Sequence, residues 1–356
     1  MLEQWVGWRV KNDVFNASGL LVVPANTTLS EEHIELIRKH GVALLPHHVA
    51  PPAQTISITK PQPEAEPEPE PEPHAVHKTN EAIVARATEE MKEVFLRFRV
   101  GDPPSVSEMK SDLIPSVQEA IEFPTLFGLL SGLQAKDDYT FRHNIGVAVL
   151  STMLGKWLHL DAEQMQTLTL AAALHDIGKV KIEDDILNKP GKFTDEEYAL
   201  MKQHTTFGYN MLKSRGELHP EVPIVALQHH ERLDGRGYPH GITGDKMTYF
   251  SKIVAVADVF HAMTSNRVYR GEVPFYKVLM QMKDDAFGKL DPFLCSVFVR
   301  RMMEMSIGSE VVLSNELRGN IVLIYPDDPI RPLVQVDGQF YDLRKHTQLK
   351  IEQLVG

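Results

Sequence analysis

Five histidines and two aspartates stand where a helical chain has little ordinary use for them. "AAALHDIGK" (residues 171–179) puts His175 and Asp176 at the end of an apolar run, and "SKIVAVADVFHAM" (251–263) sets Asp258 in the middle of another. "LQHHERLDGRGYP" (227–239) places His229 beside His230 ahead of a glycine-broken loop. His143 and His204 lie in two further segments of helical period. A buried carboxylate beside an imidazole is costly unless paired. A divalent cation relieves that cost by neutralising the acid and taking the imidazole lone pair. Taken singly, each site is satisfied by a buried salt bridge or a helix cap. Taken together, seven such groups on five segments are hard to satisfy separately. One metal takes about four to six ligands, so the set suits two metals a few ångströms apart, with an aspartate able to bridge them. Nitrogen and oxygen donors without thiolate favour Fe or Mn over a structural zinc.

These groups need rigid elements to bring them together. Apolar residues recur at helical spacing through "NEAIVARATEEMKEVFLRF", "YTFRHNIGVAVLSTMLGKWL", "EQMQTLTLAAALHDIG" and "DPFLCSVFVRRMMEM". "TDEEYALMKQHTTFGYNMLKS" reads as one more helix, opened by a Thr194/Glu197 capping box. His229 and His230 differ by about 100° on a helix. Both therefore reach one site only near a helix end, which Asp234 and Gly235 are expected to supply. The expected fold is mainly α: a helical bundle over residues 78–305 around a metal centre, with smaller pieces on either side.

Residues 1–46 read as a small α/β accessory module, with a strand and turn in "SGLLVVPANTTL", a short helix capped by Ser30, and a second strand in "VALLP". Residues 47–77 read as a linker, whose Pro/Glu alternation "PQPEAEPEPEPEP" favours an extended, solvated spacer. Residues 306–356 change to strand period, and Asp337-Gly338 marks a two-residue hairpin in a small β appendage.

The net charge of −11 disfavours a binder of nucleic-acid polymer, which needs a basic face to displace counterions. The one cysteine, Cys295, forms no disulfide within the chain, which suits a reducing compartment. No secretory pattern opens the chain, and no apolar run approaches the roughly 18 residues of a membrane span. The expectation is a cytoplasmic protein without membrane insertion.

The motifs, in order, carry a resemblance. "HDIGK" (175–179) is similar to the signature of the HD superfamily of metal-dependent phosphohydrolases, and "HHERLDGRGYP" (229–239) resembles the motif of its HD-GYP branch, with Gly237, Tyr238 and Pro239 as the eponymous triplet. "YTFRH", "ILNKPGKFTDEE", "HTTFGYNML" and "VADVFHAMTSNRVYR" extend the likeness over roughly residues 130–305. The resemblance implies hydrolysis of cyclic di-GMP, a bacterial second messenger, to the linear dinucleotide pGpG and, in many members, on to GMP. It implies metal ligation by His143, His175 and Asp258 for one ion and His204, His229 and His230 for the other, with Asp176 bridging. Tyr139 stands where some members carry a glutamate for a third ion, which favours two. Lys179, Arg267 and Arg270 are the implied phosphate donors, and Asp176 and Lys179 the implied catalytic pair.

Two cations would lower the pKa of a bridging water and neutralise charge building on the phosphate. His261 and Asn266 depart from the usual aspartates at their positions, which bears on support of the ligands or on substrate preference. Asp234, Gly235 and Gly237 are expected to turn the chain sharply after the ligands. Tyr238 and Pro239 either shape a rigid loop beside the site or form a docking surface for signalling partners, as the N-terminal module also could. Two rival readings use the same residues: an HD hydrolase or oxygenase with another substrate, and a catalytically weak adaptor that binds the dinucleotide or a protein.

Overall fold

A computed structural model describes residues 5–11, 14–15, 21–23, 27–40, 49–50, 73–122, 139–264, 275–285 and 288–355. The chain divides into two compact units, Met1–Pro69 and Glu70–Gly356. In the first, strand β1 (Arg9–Val10) pairs antiparallel with β4 (Val49–Ala50), and β2 (Val14–Phe15) with β3 (Leu21–Val23). Helix α1 (Glu31–Lys39) is opened by Ser30, whose side chain accepts from the His33 amide. Trp5, Val10, Val23, Leu29, Ile34 and Ile37 form its small core. The strand expected in "VALLP" lies outside the described residues.

The second unit begins with α2 (Pro73–Val100), which starts inside the stretch read as linker. A proline at the first helical position loses no intrahelical hydrogen bond, so Pro73 can begin the helix. Helix α3 (Val106–Ala120) was not expected from periodicity, and Pro115 interrupts its pattern. A Ser105/Glu108 capping box fixes its start: Ser105 Oγ accepts from the Glu108 amide at 3.1 Å, and Glu108 accepts from the Ser105 amide at 2.7 Å. Then come α4 (Tyr139–Trp157), α5 (Ala162–Ala173), a 3-10 turn (Ile177–Lys181), α6 (Asp184–Leu187), α7 (Asp195–Lys202), α8 (His204–Lys213), α9 (Glu221–Gln228), α10 (Tyr249–Thr264), α11 (Phe275–Asp285) and α12 (Pro292–Glu304).

Helix α4 is buried continuously from His143 to Gly155, and α10 nearly so from Phe250 to His261. A helix apolar on every face belongs at the centre of a bundle. Here α4 packs against α2, α5 and α10. The helix expected over 194–214 is two, α7 and α8, parted at Gln203. The Thr194/Glu197 box opens α7 as read.

The tail is an antiparallel sheet of order β8-β7-β6-β5-β9, from β5 (Glu310–Leu313), β6 (Arg318–Leu323), β7 (Leu333–Val336), β8 (Gln339–Asp342) and β9 (Ile351–Val355). Asp337 (φ 48°) and Gly338 (φ 81°) make the β7–β8 turn, the two left-handed residues a tight hairpin wants. β9 is an additional strand, paired with β5. Val311, Leu313, Ile321 and Ile351 join the core of the helices, and the Tyr276 hydroxyl on α11 donates to the Ile330 carbonyl. Cys295 is buried in the helical core. Among the described residues no helix is long and apolar enough to cross a membrane.

Candidate metal centre

The seven residues singled out in the sequence meet in the interior of the bundle. His143 comes from the first turns of α4, and His175 and Asp176 from the short link between α5 and the 3-10 turn. His204 is the first residue of α8, placed there by the break at Gln203. Asp258 is in the middle of α10. Helix α9 ends at Gln228, so the His-His pair itself straddles the helix end, ahead of the Asp234-Gly235 stop expected from sequence. The 3-10 turn and α8 approach closely enough that a Cβ on Gly178 would sit 1.9 Å from the His204 carbonyl oxygen. That contact brings His204 up to Asp176.

The residues fall into two groups. Ligand-type atoms of Asp176, His204, His229 and His230 lie within 4.8 Å of one another, as do those of His143, His175 and Asp258. Asp176 lies between the groups. Its Oδ1 is 3.2 Å from His204 Nε2 and 3.7 Å from His229 Nε2. Its Oδ2 is 3.5 Å from His175 Nε2 and 3.8 Å from His143 Nε2. Asp258 Oδ1 is 3.1 Å from His143 Nε2, and its Oδ2 is 3.6 Å from His230 Nδ1.

Main-chain carbonyls fix three of the tautomers, because a carbonyl only accepts. His175 Nδ1 donates to Ala172 O at 2.7 Å, His204 Nδ1 to Met201 O at 2.7 Å, and His229 Nδ1 to Ala226 O at 3.0 Å. Each Nε2 therefore presents a lone pair to the interior. His175 Nε2 and Asp176 Oδ1 are buried there without a hydrogen-bond partner. Orphaned acceptors converging on one point are what a cation requires, so the residues fit a metal centre.

The protonation states agree. Burial first, with the neighbouring His229 and His143 adding to it, pushes the His175 imidazole down to about 3. Burial likewise lowers His204 and, helped by His229, holds His230 well below the usual imidazole range. Burial works to raise both carboxyls. For Asp176 this is overcome by Lys179, His175 and the contacts with His204 and His229; for Asp258, by His143, His230 and His175. Both acids stay well below their usual range. At neutral pH His175, His204 and His230 are thus neutral imidazoles, and Asp176 and Asp258 are ionised.

Of the implied phosphate donors, Lys179 is at the site, its Nζ 2.5 Å from Asp176 Oδ2 and its side chain 20% exposed. Arg267, Arg270 and Asn266 lie outside the described residues.

The loop after the pair is tied to the cluster. The Tyr238 ring lies over His230 at 4.6 Å between centroids and edge-on to His204 at 6.3 Å. Burial, then Tyr198 and the two aspartates, push its phenol upward. Asp234 accepts from the Arg236 amide at 3.0 Å, and Gly235 takes φ 74°. Gly237 serves otherwise than expected: a Cβ there would lie 2.3 Å from Glu231 Cα, so it permits a close approach of two backbones. The Tyr238–Pro239 bond is cis.

Sequence reasoning missed Glu231. Its side chain is buried and accepts from the His240 amide at 2.7 Å and the Ile242 amide at 3.1 Å, holding the far side of the loop. Its place directly after two candidate ligands, inside the glycine-broken motif, was the available signal.

Fold and cluster together define a helical domain built around a buried histidine–aspartate cluster able to hold metal. Residues 128–294 match the family model described as HD domain. The chain is 31% identical over 255 residues to the cyclic di-GMP phosphodiesterase PA4108 of Pseudomonas aeruginosa, which covers 71% of this chain and 61% of that one. It is 38% identical over 174 residues to the 3'3'-cGAMP-specific phosphodiesterase 1 of Vibrio cholerae, covering 48% of this chain and 40% of the relative. Among solved structures, Bd1817, a HDG"Y"P protein from Bdellovibrio bacteriovorus, shares the fold with a TM-score of 0.52 at 20% identity, over 63% of this chain and 71% of that one. Over residues 128–294 the chain resembles HD-domain proteins, and the relatives it matches are named as cyclic-dinucleotide phosphodiesterases. It spans about six-tenths of the length of the first of these curated relatives and four-tenths of the second.

Proposed function

We propose that the chain is a phosphodiesterase that hydrolyses cyclic di-GMP to pGpG and then GMP, with two Fe or Mn ions as cofactors. The observation that carries this reading is the convergence of three bare Nε2 atoms on the buried Asp176 carboxylate. His143, His175 and Asp258 would hold one ion, His204, His229 and His230 the other, and Asp176 both. Bound there, the cations supply a water of lowered pKa and positive charge opposite a phosphodiester.

The chain's own groups do the rest. Asp176 and Asp258 fix the charge of the site, and the surrounding apolar helices exclude bulk water. Lys179 stands at the rim, where its ammonium both pairs with Asp176 and can meet a non-bridging phosphate oxygen. Arg267 and Arg270 are proposed for the remaining phosphate contacts, since a guanidinium donates two parallel bonds.

A second substrate is kept because a relative is named for 3'3'-cGAMP, which presents the same phosphodiester ring with one different base. The test is anaerobic purification with Fe or Mn, followed by incubation with each dinucleotide and separation of products. Linear product from cyclic di-GMP supports the reading. Full metal loading with no hydrolysis of either dinucleotide would leave the adaptor reading standing instead.

A further inference from the structure

Three histidines of the cluster set their tautomer through a main-chain carbonyl, and His143 does not. Its Nε2 faces Asp258 and Asp176, while its Nδ1 lies 3.1 Å from Nδ1 of His261, one turn beyond Asp258 on α10. Both rings are buried. A single proton occupies the space between two nitrogens at that distance. For Nε2 of His143 to offer a lone pair, that proton has to be on His143, with His261 accepting. A carbonyl enforces this arrangement because it only accepts. An imidazole permits it only in one tautomer, so His261 has to be held in place.

What holds it is a gap in α4. The His261 ring lies over Gly146, where a Cβ would come 2.0 Å from Nε2 and 2.2 Å from Cδ2 of that ring. Gly146 is one turn from His143 on the same helix, so the helix that presents the ligand also seats its partner. Any other residue at 146 would displace the ring.

We propose that His261 is a positioning residue of the metal centre: its Nδ1 accepts the Nδ1–H of His143 and turns His143 Nε2 toward Asp258 and Asp176, with Gly146 providing the room. The inference rests on the two-metal reading. Its chemistry suggests its own control, because Oδ1 of asparagine stands as many bonds from the main chain as Nδ1 of histidine and is a neutral acceptor. His261→Asn therefore keeps the hydrogen bond, whereas His261→Phe fills the space and removes it.

The test is manganese titration of the metal-stripped chain by calorimetry, with thermal unfolding of each metal-free variant run alongside. The wild type takes two ions. His261→Phe weakens one of them by about 10- to 100-fold and leaves the other unchanged, and His261→Asn restores it to within a few fold. Gly146→Ala alone reproduces the loss. In the His261→Asn background, where the outer ring is gone, Gly146→Ala is tolerated, a coupling that a merely packed pair of residues would show in stability but not in the affinity of one ion. If His261→Phe does not fold, Gly146→Ala and the double variant decide the matter. Wild-type affinity for both ions in His261→Phe or in Gly146→Ala overturns the inference while leaving the metal reading intact. A wild-type chain that takes fewer than two ions overturns the two-metal reading and this inference with it.

Discussion

Nε2 of His204 and Nε2 of His229 face each other at 3.4 Å, and each ring spends its only N–H on a main-chain carbonyl behind it. Two lone pairs at that distance repel unless a cation lies between or beside them. Asp176 adds a third acceptor to the same space. The bundle therefore keeps an arrangement that favours the loaded state over the stripped one.

Metal should accordingly stabilise the fold. Manganese at a hundred times its dissociation constant raises unfolding stability by about 2.7 kcal/mol per tightly held ion, read as an upward shift in melting temperature that grows with concentration. Asp176→Asn keeps the shape and removes the shared charge. The expected result is loss of both bound metal and thermal shift. Unchanged metal content in that variant would rule out Asp176 as the shared ligand.

The metal-free protein should lose stability in acid from an unusually high pH. His175, His204 and His230 have folded pKa values below their unfolded value near 6.5. Below that pH the unfolded chain binds protons that the folded chain refuses, so stability is full above about 6.5 and falls as pH drops toward the folded values. His175, lowered to about 3, contributes to this slope over the whole interval. The two aspartates, depressed below the usual carboxylate range, extend the loss below about 4. Denaturant melts of the stripped protein between pH 7 and pH 5 check the first part; a flat profile would contradict it.

The candidate ligands were legible in the sequence because each is a polar group set into apolar helix, where it has few uses. The halves of the cluster were legible only through the resemblance, since spacing along a chain does not say which helices meet. Helix periodicity carried α4, α5 and α10, whose patterns are long. It ran α7 and α8 together, because the apolar pattern continues through Gln203 while the backbone does not. Strand β9 escaped notice because five residues at the end of a chain carry too little alternation to read, and its place is set by pairing with β5. Glu231 was passed over for a different reason. A glutamate beside an arginine reads as solvated surface, and its burial depends on a loop that folds back eleven residues later.

That loop-back gives Glu231 a measurable role. Its two oxygens accept separate amides, from His240 and Ile242. Glu231→Ala leaves both donors without their partner, at a cost of roughly 1–3 kcal/mol. Glu231→Gln keeps one acceptor and turns an amide N–H toward the other donor, so it should fall between wild type and alanine in urea melts. Equal stability of all three would show that the loop is held by other contacts.

Tyr238 decides between the two roles left open for the GYP loop. Its ring covers His230 at 4.6 Å with a 35° tilt, a contact of the kind worth about 0.5–1.5 kcal/mol beyond area buried. It also shields the half-exposed side of the cluster, since His230 keeps 20% of its side chain accessible even with the ring in place. A loop that serves the metal site needs the ring and has little use for the hydroxyl, whose proton is held by burial. Tyr238→Phe should then bind manganese within about twofold of wild type, and Tyr238→Ala should weaken the ion at His204, His229 and His230 by about tenfold. A loop that serves only as a docking surface would leave manganese binding the same in both variants, because nothing in that role depends on His230.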